Sequence, residues 1–339
     1  TLLSGSRGVV GGSGHFMRKA LLVGQVTMVT ALLFAAGLLI RSYGHLQGLE
    51  PGFDAERVLT VQYSLDDARY AEGENIQRLF QETLSRVRQV PGVTQASVAL
   101  TLPYERPLNL PFRLPGDAEQ DYRLTNAVYV TPGFFETLDI PLLQGRRLRE
   151  GDGPGAPVVA MVNQAFVEAN FDGGQALGIP VDMGYSEDAG IEIVGVVGNV
   201  LQRAEWGDAA TPVWETPTLY LAASQASDAF MQQIHVWFSP SWIVQGTGSD
   251  ANLAAEITRA FREVDPELPV ARTASLSDVM DQAFASERFE AVFLLVVAGF
   301  SLLLAGIGLY GMVAHEVLER RSEMGLRMAL GATPAGAVW

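Results

Sequence analysis

Two stretches of this chain carry no charge and are long enough to cross a lipid bilayer. Residues 20–40 read ALLVGQVTMVTALLFAAGLLI, and residues 291–314 read AVFLLVVAGFSLLLAGIGLYGMVA. At about 1.5 Å per residue, a helix of either length spans the roughly 30 Å hydrocarbon layer. As core helices of a soluble protein, two such runs would need a very large interior. Arg18 and Lys19 precede the first run like the charged start of a signal peptide. That run exceeds the usual apolar stretch of about 7–15 residues, and Arg41 follows without a small-x-small cleavage site, so it reads as an uncleaved span. Two spans put both ends of the chain on one side of the membrane and residues 42–290 on the other.

Charge supports the division. Residues 1–41 carry a net +4, residues 42–290 a net −19, and residues 291–339 a net of zero. A strongly acidic middle is a solvated domain and argues against nucleic acid, which needs a basic face. Near the spans, the terminal flanks hold Arg7, Arg18, Lys19, Arg320, Arg321 and Arg327; the loop flanks hold Arg41, Arg57, Arg272 and Arg288. The excess at the termini places them in the cytoplasm and the large loop outside. The chain has no Cys, which excludes disulfides and thiolate metal sites. It starts at Thr1 and stops inside a patterned stretch, so it reads as part of a longer protein.

Small residues recur at helical spacing in both spans. Gly24, Thr27, Ala31 and Ala35 share one face of the first; Ala298, Ser301, Ala305, Gly308 and Met312 share one face of the second. Such faces let helices approach closely in lipid, although membrane helices are rich in Gly and Ala in any case.

The loop between the spans alternates strand and helix periods. Leu59, Val61, Tyr63 and Leu65 predict a strand, and Ile76, Leu79, Phe80, Leu84, Val87 and Val90 one face of a helix that Pro91-Gly92 ends. Ala96, Val98 and Leu100 predict the next strand. The same order returns late: a strand through Ile234, Val236 and Phe238, a helix through Leu253, Ile257, Phe261 and Val264 with Asp250 as its cap, then a strand over 269–273. Between the two units lie strands at 126–130, 191–197 and 218–222 and a helix over 163–171. The expectation is an α+β extracytoplasmic domain between two transmembrane helices. A split strand-helix-strand subdomain comprises 42–102 and 226–274, and a mainly β subdomain, 103–225, is inserted into it. Residues 275–290 predict a stalk helix running without a breaker into the second span. Segments 1–19 and 315–339 are cytoplasmic.

Several chemistries find no residues. The only Lys is Lys19, so no phosphate-binding Gly-Lys-Ser/Thr loop exists. His15, His45, His235 and His315 lack ligand spacing, and no Ser sits on a nucleophile elbow. Gly195 and Gly198 follow a strand but lack the dinucleotide pattern. The chain is expected to be no enzyme and to hold no cofactor or metal.

The stretch RRSEMGLRMALGAT, residues 320–333, follows GIGLYGMVAHEVLER at the end of the second span. It closely resembles the ABC-transporter permeases of the MacB-like and FtsX-like family. AGLLIRSYGHLQGLEPGFDAERVLTV, YVTPGFFETLDIPLLQGR, VVAMVNQAFVEANF and EIVGVVGNV resemble the same family in the same order. The resemblance covers nearly the whole chain from Arg18. It implies a permease subunit of an export system that passes the motion of a partner ABC ATPase to an outer domain by mechanotransmission. ATP and Mg²⁺ would sit on that partner. The resemblance also implies a second permease copy, a periplasmic adaptor and outer-membrane channel, an inner-membrane location and further spans beyond this sequence. By match of motif, Glu323 to Ala332 would be the coupling helix, with Glu323, Gly325, Arg327, Leu330 and Gly331 as its residues.

Two other functions fit the topology. A two-span sensor would continue as a heptad helix, which Gly325, Gly331, Pro334 and Gly336 are expected to break. A regulator of cell-wall hydrolases would keep the permease fold without transport.

Overall fold

The computed structural model describes residues 11–329, apart from 66, 71, 172, 185–189, 204–212 and 248–249. Two compact units emerge. One comprises the chain ends up to Gly48 and from Ser286; the other is Leu49–Ala285.

The first unit is helical. Helix α1, Gly11–Gln47, contains the first apolar run. The helix Ala285–Ala329 contains the second. The membrane-grade windows fall in Val23–Leu46 and Ala285–His315 and are mostly exposed, unlike the core helices of a soluble protein.

The second unit is the α+β domain. From the N-terminal side come β1 (Val58–Tyr63), α2 (Gly73–Val87) and β2 (Val93–Ala99). The inserted stretch follows with β3 (Leu108–Phe112), β4 (Arg123–Val130), α3 (Phe134–Thr137), β5 (Leu142–Gly145), β6 (Val159–Asn163) and α4 (Gln164–Phe171). It continues with β7 (Pro180–Val181), β8 (Ile191–Val197), β9 (Leu201–Arg203), β10 (Val213–Glu215) and β11 (Thr218–Ala222). The chain returns through α5 (Asp228–His235), β12 (Ser241–Gly246), α6 (Asp250–Val264), β13 (Val270–Ser275) and α7 (Leu276–Ala283), and then enters α8 (Ala285–Ala329).

Eleven strands form one sheet whose path is β13-β1-β12-β2-β4-β11-β6-β8-β5, with β3 beside β4 and β7 beside β8. At its start, strands from two distant parts of the chain alternate. β1 lies between β12 and β13, with Val61 opposite Trp242 and Thr273, and β12 pairs β2, all antiparallel. This is the strand order of a split βαβ pair. One aromatic cluster locks it. Tyr63 and Phe80 come from the first part, Trp242 and Phe261 from the second. Tyr63 stacks on Phe261 at 4.4 Å between centroids, and Trp242 meets Tyr63, Phe80 and Phe261 edge-on at 5.1–5.4 Å. The indole N–H of Trp242 donates to Thr83 Oγ1 at 2.8 Å, so the deepest ring keeps its polar edge satisfied.

The inserted stretch has its own core, with Phe112, Val162, Phe166, Ile193 and Leu219 buried together. Its sheet mixes parallel pairs, β4 with β11 and β6 with β8, among antiparallel ones. Asn163 organises the start of α4: its Oδ1 accepts from the Phe166 and Thr218 N–H groups and its Nδ2 donates to the Thr216 carbonyl. The two parts share one sheet through a narrow seam. Leu100 N–H donates to Tyr129 O and Thr131 N–H to Val98 O, around the single pair Ala99–Val130. Gly195 and Gly198 mark close packing, because a Cβ at either would strike Arg146 O or Pro141.

Two sequence expectations change. Ile234, Val236 and Phe238 do not form a strand. Ser227 accepts from the Phe230 N–H and starts α5 there, while Val236 and Trp237 are exposed, and the strand begins at Ser241. The alternation of three apolar residues fits a short helix end as well as a strand. The stalk, moreover, is not one helix. It breaks at Phe284, with φ −100° and ψ 8°, between α7 and α8.

Candidate functional site

The site positions that the sequence singles out lie in the helix pair and at the far end of α8; the structure adds a third place, the junction of α7 with α8.

Along α1, the buried and half-buried residues include Gln25, Val29, Leu32, Ala36, Leu39, Tyr43 and Leu46, at alternating steps of four and three, with Ala35 half-buried beside them. Along α8 they include Ala291, Leu294, Ala298, Ser301, Ala305 and Met312. Steps of this kind keep one seam facing a partner helix over many turns. The two helices meet where Gln25 Oε1 lies 3.4 Å from the position a Cβ on Gly308 would take. Ala298 is buried, and Ser301 and Ala305 are half-buried in α8. In α1 the small face is displaced: Gly24, Thr27 and Ala31 are exposed and only Ala35 is half-buried. Thr27 satisfies its hydroxyl on Val23 O at 2.8 Å, within its own helix. The seam residues Gln25, Val29, Leu32 and Ala36 were not anticipated, although their seven-residue repeat is present in the sequence.

At the junction, α7 is held to the outer domain from several sides. Ser275 caps it with a reciprocal box: Asp278 N–H donates to Ser275 Oγ, and Ser275 N–H to Asp278 Oδ2. Leu276, Val279 and Ala283 are buried against the sheet. Arg203 Nη2 donates to the Ala283 carbonyl at 2.6 Å, satisfying an acceptor that the helix end leaves open. The ring of Phe284 stands edge-on to Tyr104 at 5.5 Å, and Tyr104 edge-on to Phe53. Next to this aromatic row, Glu105 binds Gln62 Nε2 and the Leu102 N–H and pairs with Arg272, whose other Nη donates to Gln282 of α7. Burial holds the Glu105 carboxyl above its ordinary value, against the Leu102 N–H, Arg272 and Gln62, which favour the anion. The junction thus joins a firmly anchored α7 to α8 through one non-helical residue. Neither Phe284 nor Arg203 carried a signal in the sequence, since a one-residue break needs no Gly or Pro.

At the far end, α8 runs on to Ala329 as 45 continuous residues, roughly 67 Å. Glu323, Gly325 and Arg327 are therefore the last turns of α8 and not a separate short helix, and Gly325 does not break it. Their side chains, and Leu330 and Gly331 altogether, lie outside the described residues.

His235 is the one buried histidine among the described residues. Tyr129 Oη lies 2.7 Å from its Nε2, and desolvation pushes its pKa down to about 4. No group of three His, Cys, Asp or Glu side chains among the described residues is placed to hold a metal ion.

A family model described as the MacB-like periplasmic core domain matches residues 26–260. The chain is 28% identical over 218 residues to the "Uncharacterized ABC transporter permease YvrN" of Bacillus subtilis, covering 62% of this chain and 52% of that protein. It is 24% identical over 264 residues to the "Macrolide export ATP-binding/permease protein MacB" of Haemophilus ducreyi, covering 77% of this chain and 34% of that protein. The chain thus spans about half the length of the first relative and about a third of the second. The solved periplasmic region of MacB from Actinobacillus actinomycetemcomitans aligns with 71% of this chain and 97% of its own, at 13% identity and a TM-score of 0.45.

Proposed function

The chain belongs to the MacB-like periplasmic core domain family, and on that premise we propose that it works as the outer domain and a membrane-helix pair of an ABC-type export permease. The observation that carries the reading is the unbroken course of α8. It connects the junction at Phe284 with the stretch from Glu323, well beyond the roughly 30 Å that a bilayer core requires.

In this reading the helix ends are cytoplasmic, the membrane is the inner membrane, and Leu49–Ala285 lies outside it. A separate or fused ABC ATPase binds and hydrolyses ATP with Mg²⁺; this chain supplies no catalytic group. The ATPase docks on Glu323 to Ala332. Helical hydrogen bonding makes α8 stiff along its axis, so a push at one end arrives at the other. It reaches the outer domain through Phe284, where the capping box, Arg203 and the buried face of α7 pass it to β1 and β13. A second permease copy, a periplasmic adaptor and an outer-membrane channel complete the system, by analogy with what the resemblance implies.

Glu323 and Arg327 stand at i, i+4, an orientation whose ion pair is worth only about 0.3–0.5 kcal/mol when exposed. Arg327→Glu should therefore leave expression and membrane insertion intact. It should lower ATPase recruitment and uncouple ATP turnover in the reconstituted complex. Unchanged recruitment and unchanged transport would remove Glu323 to Ala332 from the coupling role.

A further inference from the structure

We infer that the outer edge of β13, with the groove between it and α6, is a docking site for an extended, acidic peptide segment of a partner protein. Strand β13 ends the eleven-stranded sheet and, among the described residues, pairs with β1 alone. An edge strand offers its backbone N–H and C=O groups to an incoming chain, and folds usually blunt it with Pro, bulges or charges. Here the blunting is confined to one end. Pro269 precedes the strand, and the register slip between Gln62 and Tyr63 falls opposite its first residues. From Ala271 to Ala274 the single charged side chain, Arg272, is engaged by Glu105 and Gln282.

Beside this edge lies an open groove of about 530 Å³, lined by Thr273 and by Ala254, Ala255, Thr258, Arg259 and Arg262 of α6. The α6 residues fall at steps of one, three, one and three, so they form one strip along the helix. The alanines leave room for a chain beside the strand, and the arginines supply the only charges of the lining. Among the described residues, Arg259 pairs only with Glu256 on its own helix, where both side chains are exposed, a contact of little worth. Arg262 makes no ion pair among the described residues. In a stretch of chain with net charge −19, a groove lined by arginines and no acid selects for an acidic occupant. Strand addition gives affinity through the main chain, and alternate side chains give specificity. The fit is an extended segment with carboxylates at every second position. A second copy of this chain fits poorly, because edge-to-edge pairing of two β13 strands would set one arginine strip against the other. The inference rests on the outer domain alone and does not depend on the export reading.

The full chain, purified in detergent, would be titrated with a fluorescent peptide alternating Thr and Glu, while hydrogen exchange is followed at residues 271–274. The expected result is saturable, salt-sensitive binding with protection of those amides. Arg259→Glu/Arg262→Glu should weaken it at least about tenfold. Both side chains are exposed, so an unchanged melting temperature would show that the variant folds. A peptide N-methylated at alternate residues should not bind. Equal binding of the N-methylated peptide or of a Thr-Lys peptide would overturn the proposal. So would binding without protection at 271–274, or protection that rises with protein concentration in the absence of peptide, which would assign the edge to a second copy.

Discussion

In the outer domain, α2 and α6 bury the faces that their apolar residues mark: Ile76, Leu79, Phe80, Leu84 and Val87 on one, Leu253, Ile257 and Phe261 on the other. In the membrane pair, α1 turns Gln25, Val29, Leu32 and Ala36 to its seam and leaves Leu33, Phe34 and Leu38 exposed. Water separates the two faces of a helix by their hydrophobicity. Lipid does not, because a tail is as apolar as a Leu side chain, and shape and packing choose the seam instead. The same periodic reasoning therefore finds the buried face of α2 and misplaces that of α1.

The largest test of this contrast is Trp242→Ala. It removes the ring on which both parts of the split sheet converge and leaves Thr83 without its donor. The outer domain, produced as residues 44–288, should lose about 3–5 kcal/mol in denaturant unfolding. A loss below about 1 kcal/mol would show that the cluster does not hold the two parts together.

Next in size is the pH response of His235. Its folded pKa of about 4 lies below the unfolded 6.5, so between those values the unfolded chain binds the extra proton. Stability from this group is complete above pH 6.5 and is lost as pH falls, by roughly 3 kcal/mol on reaching pH 4. Glu105 works in the opposite sense: its raised pKa makes stability fall as pH rises above the ordinary carboxylate range. The comparison that isolates the histidine is His235→Gln, which should flatten the slope between pH 4 and 6.5. An unchanged slope would place the titration elsewhere.

The third test costs the outer domain nothing and reads the membrane pair directly. The chain has no Cys, so introduced pairs are unambiguous. Gln25→Cys with Gly308→Cys should be cross-linked by a short bis-maleimide in membranes, and Gly24→Cys with Gly308→Cys should be cross-linked far less. Equal yields would return the seam to the small-residue face.

Much of the outer domain was legible because its elements obey one period each. β1, α2 and β2 follow from the alternation of Val61 and Tyr63, the helical spacing of Ile76 to Val87, and Pro91-Gly92. The segment 234–238 was not legible, since three alternating apolar residues satisfy a helix end and a strand alike and the Ser227 cap decides between them. The junction was hidden for a different reason. Phe284 breaks the helix by tertiary contacts, the Tyr104 ring beside it and Arg203 on the preceding carbonyl, which come from parts of the chain 80 or more residues away. The stretch proposed for coupling was read from resemblance, and α8 continues through its first part to Ala329.

The central claim is that α8 links an extracytoplasmic domain to a contact on the opposite side of the membrane. It is tested most directly by labelling single cysteines in intact cells with a membrane-impermeant maleimide. Gly151→Cys, in an exposed loop of the outer domain, should label without permeabilisation, and Ala329→Cys only after it. Labelling of both positions from the same side would contradict the account.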